Sequence, residues 1–232
     1  MREGAVHASR PLLEGLRLSG EEAQKALRLD PTDAVAHALR AEATGHLGDY
    51  VGAFRHIEQA LSINPSCAWA HHVKGWLQIF TGQPAAGRQA MLFGIRLDPR
   101  RASHPLTRSH IAMSYYIEGD YENTVAETAR LIADRPDHPY AYRWLAAALG
   151  QLGRIEEARA ALDKAIATAP DVFRLFVEQR VPWMGQAVYD HMLEGLRKAG
   201  WRADSRRREV PHPSGTAAPQ PPHRRNRGSY GS

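Results

Sequence analysis

The prolines of this chain recur at a fixed spacing, and this repeat constrains the fold more than any other feature. Pro31, Pro65 and Pro99 are each 34 residues apart, and Pro136 and Pro170 are again 34 apart. The step between Pro99 and Pro136 is 37 residues, which indicates an insertion of three residues there. Four glycines keep the same rhythm, each 17 residues before a proline: Gly48, Gly82, Gly119 and Gly153. A fixed period of this length is typical of solenoid proteins.

Each repeat is long enough for two helices of about 13 residues with tight connections. The glycine can adopt the positive φ that ends the first helix, and the proline stops the second. Small residues recur at three further positions, where two helix axes can approach closely. They are Ala41, Gly75, Ala112 and Ala146, then Ala53, Gly87 and Ala158, then Ala60, Gly94 and Ala165. The pattern predicts an all-α solenoid of antiparallel helix pairs over residues 34–67, 68–101, 105–138 and 139–172.

Three fragments of this pattern carry a family resemblance: GDYVGAFRHIEQALSINP, GDYENTVAETARLIADRP and GRIEEARAALDKAIATAP. Each resembles the second half of a tetratricopeptide repeat, and so does the partial unit EEAQKALRLDP before Pro31. The resemblance implies a right-handed superhelix whose first helices line a concave inner face. It also implies a module that binds a protein or peptide partner rather than a catalyst.

The two ends of the solenoid are expected to differ from the repeats, because terminal repeats must cover an apolar face. Residues 173–201 are predicted to form the C-terminal cap, with a short helix stopped by Pro182 and a second helix ending near Gly200. Residues 18–33 supply a partial N-terminal helix. Residues 1–17 and the Arg- and Pro-rich residues 202–232 are predicted to be disordered, since they offer little to bury.

Charge is concentrated in the C-terminal tail. Of the formal net charge of +5, the whole excess lies in residues 202–232, which hold seven arginines against Asp204 and Glu209. The neutral remainder argues against nucleic-acid binding, except for weak contact by the tail. Cys67 is the single cysteine, and no apolar run is long enough to span a membrane. These features predict a cytoplasmic protein without a disulfide or a membrane partner.

The C-terminal sequence carries a second, narrower resemblance. The stretch FVEQRVPW, followed by HMLEGLRKAGW, is similar to the end of bacterial signalling proteins that place a class III adenylate or guanylate cyclase domain, or a winged-helix domain, before such repeats. The resemblance implies an alternative function, as a detached regulatory segment of a cyclase-like protein. No cyclase domain can be placed in this chain.

Neither a catalytic site nor a metal or cofactor site is expected. The sequence has no phosphate-binding loop, no dinucleotide-binding glycine pattern and no nucleophile elbow. His71 and His72 are adjacent, so on a helix they point about 100° apart and cannot chelate together. His37 and His71 occupy equivalent repeat positions without a third ligand. We therefore expect solvated or packing histidines.

The predicted binding surface is the inner face of the second, third and fourth repeats. Its candidate residues are Trp69, His72, Trp76, Phe80, Leu106, Met113, Tyr116, Tyr140 and Arg143. One alternative is an open aromatic groove that binds an extended or helical peptide. The other is that several of these side chains pack between helices. Because only Arg143 is basic, a clamp for acidic peptide tails is not favoured. The predicted function is a non-catalytic interaction scaffold, with self-association as a further possibility.

Overall fold

The computed structural model describes residues 3–100, 105–181 and 183–202, with side chains from Leu13 onward except that of Pro105. These residues are helical almost throughout and contain no strand. The helices are α1 Glu3–Leu29, α2 Ala34–His46, α3 Tyr50–Ile63, α4 Ala68–Phe80, α5 Pro84–Leu97, α6 Pro105–Ile117, α7 Tyr121–Asp134, α8 Ala141–Gln151, α9 Ile155–Thr168, α10 Pro170–Phe173 and α11 Gln186–Lys198. A π-helical turn, Arg174–Gln179, directly follows α10. The predicted tail over 203–232 lies outside the described residues.

The four predicted helix pairs are present as α2–α3, α4–α5, α6–α7 and α8–α9. Between the two helices of each pair lies a glycine with positive φ, a conformation that costs a residue with a side chain more than it costs glycine. The φ values are 98° at Gly48, 86° at Gly82, 79° at Gly119 and 73° at Gly153. In every pair the second helix begins at the next residue but one after this glycine. The predicted all-α solenoid with its N-terminal helix and cap is confirmed.

Close helix approach explains the small residues of the repeat. All ten of the small residues that recur at the three packing positions are buried. In the second repeat the two helices approach so closely that a methyl group on Gly87 would lie only 2.3 Å from the backbone oxygen of Gly75. No larger residue fits between α4 and α5 unless the two helices move apart.

A repeated hydrogen bond explains two of the histidines. In the first two repeats Nε2 of His37 and His71 lies 3.1 and 2.9 Å from the backbone oxygens of Pro31 and Pro65, six residues earlier. In the fourth repeat the hydroxyl of Tyr142 donates to the oxygen of Pro136 at 3.0 Å, again six residues earlier. Each bond ties the first turn of a helix to the preceding connection. In the sequence, this bond can be recognised because the side chain that makes it always stands six residues after the proline.

The N-terminal expectation needs a correction. Helix α1 already begins at Glu3, so the prediction of disorder over residues 1–17 is wrong for the described part. Ala23 and Leu27 bury one face of α1, and Leu13 and Leu16 pack against the core. The opposite face is exposed and carries ion pairs of Arg17 with Glu14 and Glu21. Leu13 and Leu16 therefore give the added length of the helix apolar contacts with the rest of the protein.

The C-terminal cap packs on α8 through glycines that the repeat pattern does not contain. A methyl group on Gly150 would lie 2.2 Å from the backbone oxygen of Gly195 in α11. The hydroxyl of Tyr116 donates a hydrogen bond to the backbone oxygen of His191 at 2.8 Å. Met192, Leu193 and Leu196 form the buried face of α11. Gly200, whose φ is 99°, follows the end of this helix.

Candidate ligand-binding cavity on the inner face

The first helix of every pair contributes to one cavity of about 190 Å³. Helix α2 supplies Glu42 and His46, and α4 supplies Phe80. From α6 come Leu106, Ser109, His110 and Met113, and from α8 and the residue before it come Tyr140, Arg143 and Trp144. The predicted inner-face residues Phe80, Leu106, Met113, Tyr140 and Arg143 are therefore brought together at one place. Because successive pairs stack in register, residues far apart in sequence share this surface.

Three predicted groove residues are buried between helices, and for them the open-groove expectation is corrected. Trp76 is fully buried, with its ring centroid 4.2 Å from that of His46. Nδ1 of His72 lies 3.0 Å from the hydroxyl oxygen of Thr107 on the neighbouring repeat. Tyr116 is fully buried and points towards the cap. Large rings at these positions fill the space that small residues in neighbouring helices leave open.

Trp69 does not reach the cavity either. Its half-buried ring stacks on the imidazole of His72, with the ring centroids 4.7 Å apart and the planes at 13°. Met113, although it lines the cavity, is only 2% exposed. Some of the predicted residues are therefore packed between helices, and others line an open space. Each of the two alternatives, the open groove and the packed face, holds for part of the inner face.

Residues 173–181, 183 and 184, here called the closing segment, lie against this part of the inner face. Phe176, Trp183 and Met184 of this segment line the cavity, and Leu16 of α1 lines it as well. The ring of Phe176 meets Tyr140 edge-on at 5.5 Å, and Trp183 meets His46 edge-on at 4.9 Å. The sequence predicts that this segment belongs to the C-terminal cap, but it does not predict the contact with the inner face.

Backbone contacts hold the closing segment in place. The hydroxyl of Tyr50 donates to the backbone oxygen of Trp183 at 3.3 Å, which joins the first repeat to the C-terminal end. The hydroxyl of Tyr189 donates to the backbone oxygen of Val177 at 2.6 Å. Val177 and Val181 are fully buried. The apolar composition of the closing segment indicates that it is buried. It does not indicate which surface the segment covers.

Arg143 lines this cavity with a cationic side chain, and it is 4% exposed. Its guanidinium carbon lies 4.2 Å from the ring centroid of Phe176 and 5.1 Å from that of Trp144. Among the described residues, no protein atom accepts a hydrogen bond from its Nε or Nη1. Burial lowers the pKa of Arg143 to about 9, so the group is still charged near neutral pH.

One acidic side chain and two histidines also line the cavity: Glu42, His46 and His110. Nδ1 of His46 lies 2.8 Å from the backbone oxygen of Glu42, and burial lowers the pKa of His46. Within the described ranges no three His, Cys, Asp or Glu side chains are grouped to hold a metal ion.

No helix in the described part of the chain is long and apolar enough to cross a membrane.

Comparison with known proteins identifies the repeat. The family model of the tetratricopeptide repeat matches residues 115–175. No curated protein matches the chain significantly. Three similar solved structures are PilW, described as a widely conserved type IV pilus biogenesis factor, TTC0263, a thermophilic repeat protein of Thermus thermophilus, and YrrB, described as having an unusual peptide-binding site.

The structural likeness extends over most of the chain. PilW is 20% identical with a TM-score of 0.61, over 87% of this chain and 100% of its own. TTC0263 is 19% identical with a TM-score of 0.59, over 76% and 96%. YrrB is 15% identical with a TM-score of 0.53, over 78% and 91%. At these identities the likeness establishes the fold alone. This protein is built as a tetratricopeptide-repeat solenoid whose inner face is covered by its own C-terminal segment.

Proposed function

We propose that this protein is a non-catalytic interaction scaffold that accepts an apolar segment of a partner protein on its inner face. The observation that carries the proposal is the closing segment itself. It is a stretch of chain outside the regular helix pairs that contacts the inner face through Phe176, Trp183 and Met184. A surface that accepts one such segment has the chemistry to accept another of similar composition. The tetratricopeptide-repeat fold also supports the proposed function as an interaction scaffold.

The closing segment is a replaceable occupant rather than part of the regular repeat. It leaves the α-helical pattern at the π-helical turn and passes through Arg180 with a φ of 57°. A residue other than glycine in this region of φ stores backbone strain. Because the segment is covalently attached, its effective concentration is in the millimolar range, and a partner must compete with it. Such competition keeps the scaffold closed until a strong partner is present.

A peptide with the sequence of residues 171–185 tests this proposal in trans. Its binding to the full chain is measured by fluorescence anisotropy, for wild type and for Trp183→Ala. Because the substitution weakens the attached segment, the variant should bind the peptide at least tenfold more tightly. Arg174→Ala is the matched control, since this exposed side chain lies in the same segment and outside the cavity.

Two outcomes contradict the proposal. One is that neither protein binds the peptide more tightly than a scrambled peptide. The other is equal affinity for wild type and Trp183→Ala, which would place the peptide on a different surface. Circular dichroism establishes that the variant is folded, and Phe176→Ala serves as a second variant that removes another anchor of the segment.

The alternative function, a regulatory segment of a cyclase-like signalling protein, rests on the resemblance of the C-terminal sequence alone. No contact among the described residues favours it, and we do not prefer it. A cytoplasmic location remains part of the proposal, because the single cysteine argues for it. Self-association and weak contact of the Arg-rich tail with nucleic acid remain predictions from the sequence.

A further inference from the structure

We propose that the cavity behind the closing segment binds a small organic monocarboxylate with a compact aromatic or branched aliphatic body. The carboxylate would pair with Arg143, and the body would fill the apolar part of the cavity. This inference does not rest on partner binding, because it concerns the space that remains while the closing segment is in place.

Arg143 provides the reason for a negatively charged ligand. A guanidinium group attracts aromatic rings at its faces but donates its hydrogen bonds in its own plane. Phe176 lies 4.2 Å from the guanidinium carbon, and a ring contact of this kind does not use the N–H groups. Nε and Nη1 have no acceptor among the described residues, although the side chain is almost completely buried. A carboxylate oxygen can accept a charge-assisted hydrogen bond from an N–H group of this kind, which makes a carboxylate a fitting partner.

The size and walls of the cavity indicate the body of the ligand. Its volume is about 190 Å³, and a dry protein cavity of about 150 Å³ is known to bind benzene. A ligand of roughly ten non-hydrogen atoms fits this space by that comparison. The walls are mostly apolar: Leu16, Phe80, Leu106, Met113, Trp144 and Met184. The space is too small for a nucleotide or a folded peptide.

The number of cations in the cavity limits the charge of the ligand to one. Among the described residues that line the cavity, Arg143 is the one Arg or Lys, so a second negative charge would meet no further cation. His46, whose pKa burial lowers, adds little positive charge near neutral pH. His110 lines the cavity beside Ser109 and Met113. A monocarboxylate is therefore favoured over a dicarboxylate or a phosphate ester, which would need more than one cation.

Titration of the full chain with phenylacetate tests the inference, with phenylacetamide as the neutral analogue and phenylmalonate as the dianionic one. Binding is followed by calorimetry and by the rise in melting temperature. We expect phenylacetate to bind at least tenfold more tightly than either analogue. Arg143→Met should lower its affinity at least tenfold and remain folded, because it replaces an unpaired buried charge with an apolar side chain of similar length.

The control variant is Arg88→Met. Arg88 is partly buried, lies over the ring of Tyr115 and pairs with Glu118, but it does not line this cavity. It should leave the affinity for phenylacetate unchanged. The inference is overturned if phenylacetate at millimolar concentration does not bind. It is equally overturned if phenylacetamide binds as well as phenylacetate, or if Arg143→Met binds phenylacetate as wild type does.

Discussion

The contact between the cap and the fourth repeat can be tested by adding a single methyl group. Gly195 of α11 faces α8, and a methyl group there would lie 2.5 Å from the backbone oxygen of Ala147 and 2.5 Å from the hydroxyl oxygen of Tyr116. Real Cβ atoms essentially never lie closer than 3.0 Å to another heavy atom, so Gly195→Ala forces α11 away from α8 by roughly 0.5 Å or more. Neither opposing atom is the end of a flexible chain.

The expected free-energy change combines two opposing effects. Alanine has a better helix propensity than glycine by about 0.5–1 kcal/mol. Overpacking of a tight helix contact costs about 1–3 kcal/mol. The substitution should therefore destabilise the fold by about 1–2 kcal/mol, which lowers the melting temperature of a domain of this size by roughly 2–8 °C. Thermal unfolding followed by far-UV circular dichroism measures this shift.

Gly15→Ala separates helix propensity from packing. Gly15 lies within α1 on an exposed face, and a methyl group there meets no atom within 4 Å. This control should raise the melting temperature by roughly 1–4 °C, because only the propensity term remains. The reasoning is refuted if Gly195→Ala melts at or above the temperature of wild type, since α11 would then not depend on close backbone contact.

Three further perturbations test the packing and the buried titratable groups. Ala158→Trp places an indole at a fully buried position of α9 and should cost about 1–3 kcal/mol or more in urea unfolding, whereas Glu156→Trp, on the exposed face, should change the stability little. Tyr116→Phe removes the hydrogen bond to the backbone oxygen of His191 and should cost about 1 kcal/mol by the same measurement, with no effect if that bond is absent in solution. Burial lowers the pKa of His46 and His191 below the ordinary value of 6.5, so the unfolded state binds more protons in acid. The free energy of unfolding should fall as pH drops from about 7 to 5, and a constant value from the same urea titrations would contradict the burial of these histidines.

On the inner face, the sequence predicted which residues belong to the first helices but not which of their side chains are buried. Phe80 and Arg143 were predicted to face inward and do line the cavity. Trp76 and Tyr116 lie on the same kind of helix, yet both are fully buried between helices. Helical spacing alone cannot separate these cases, because the rotation of each helix pair against the next decides which side chain is covered. The close contact between Gly150 and Gly195 could not be predicted from the repeat, because neither glycine lies at a repeated position.

The sequence by itself determined the helix pairs and their order along the chain. Glycine with positive φ and proline at a helix end act through local backbone geometry, and a period of 34 residues makes that local signal unambiguous. Only the tertiary structure decided what happens on the inner face. The closing segment returns across the solenoid to meet Tyr50, more than 100 residues earlier. That contact depends on the stacking of all four pairs, and it is what leaves Arg143 buried in a small cavity instead of an open groove.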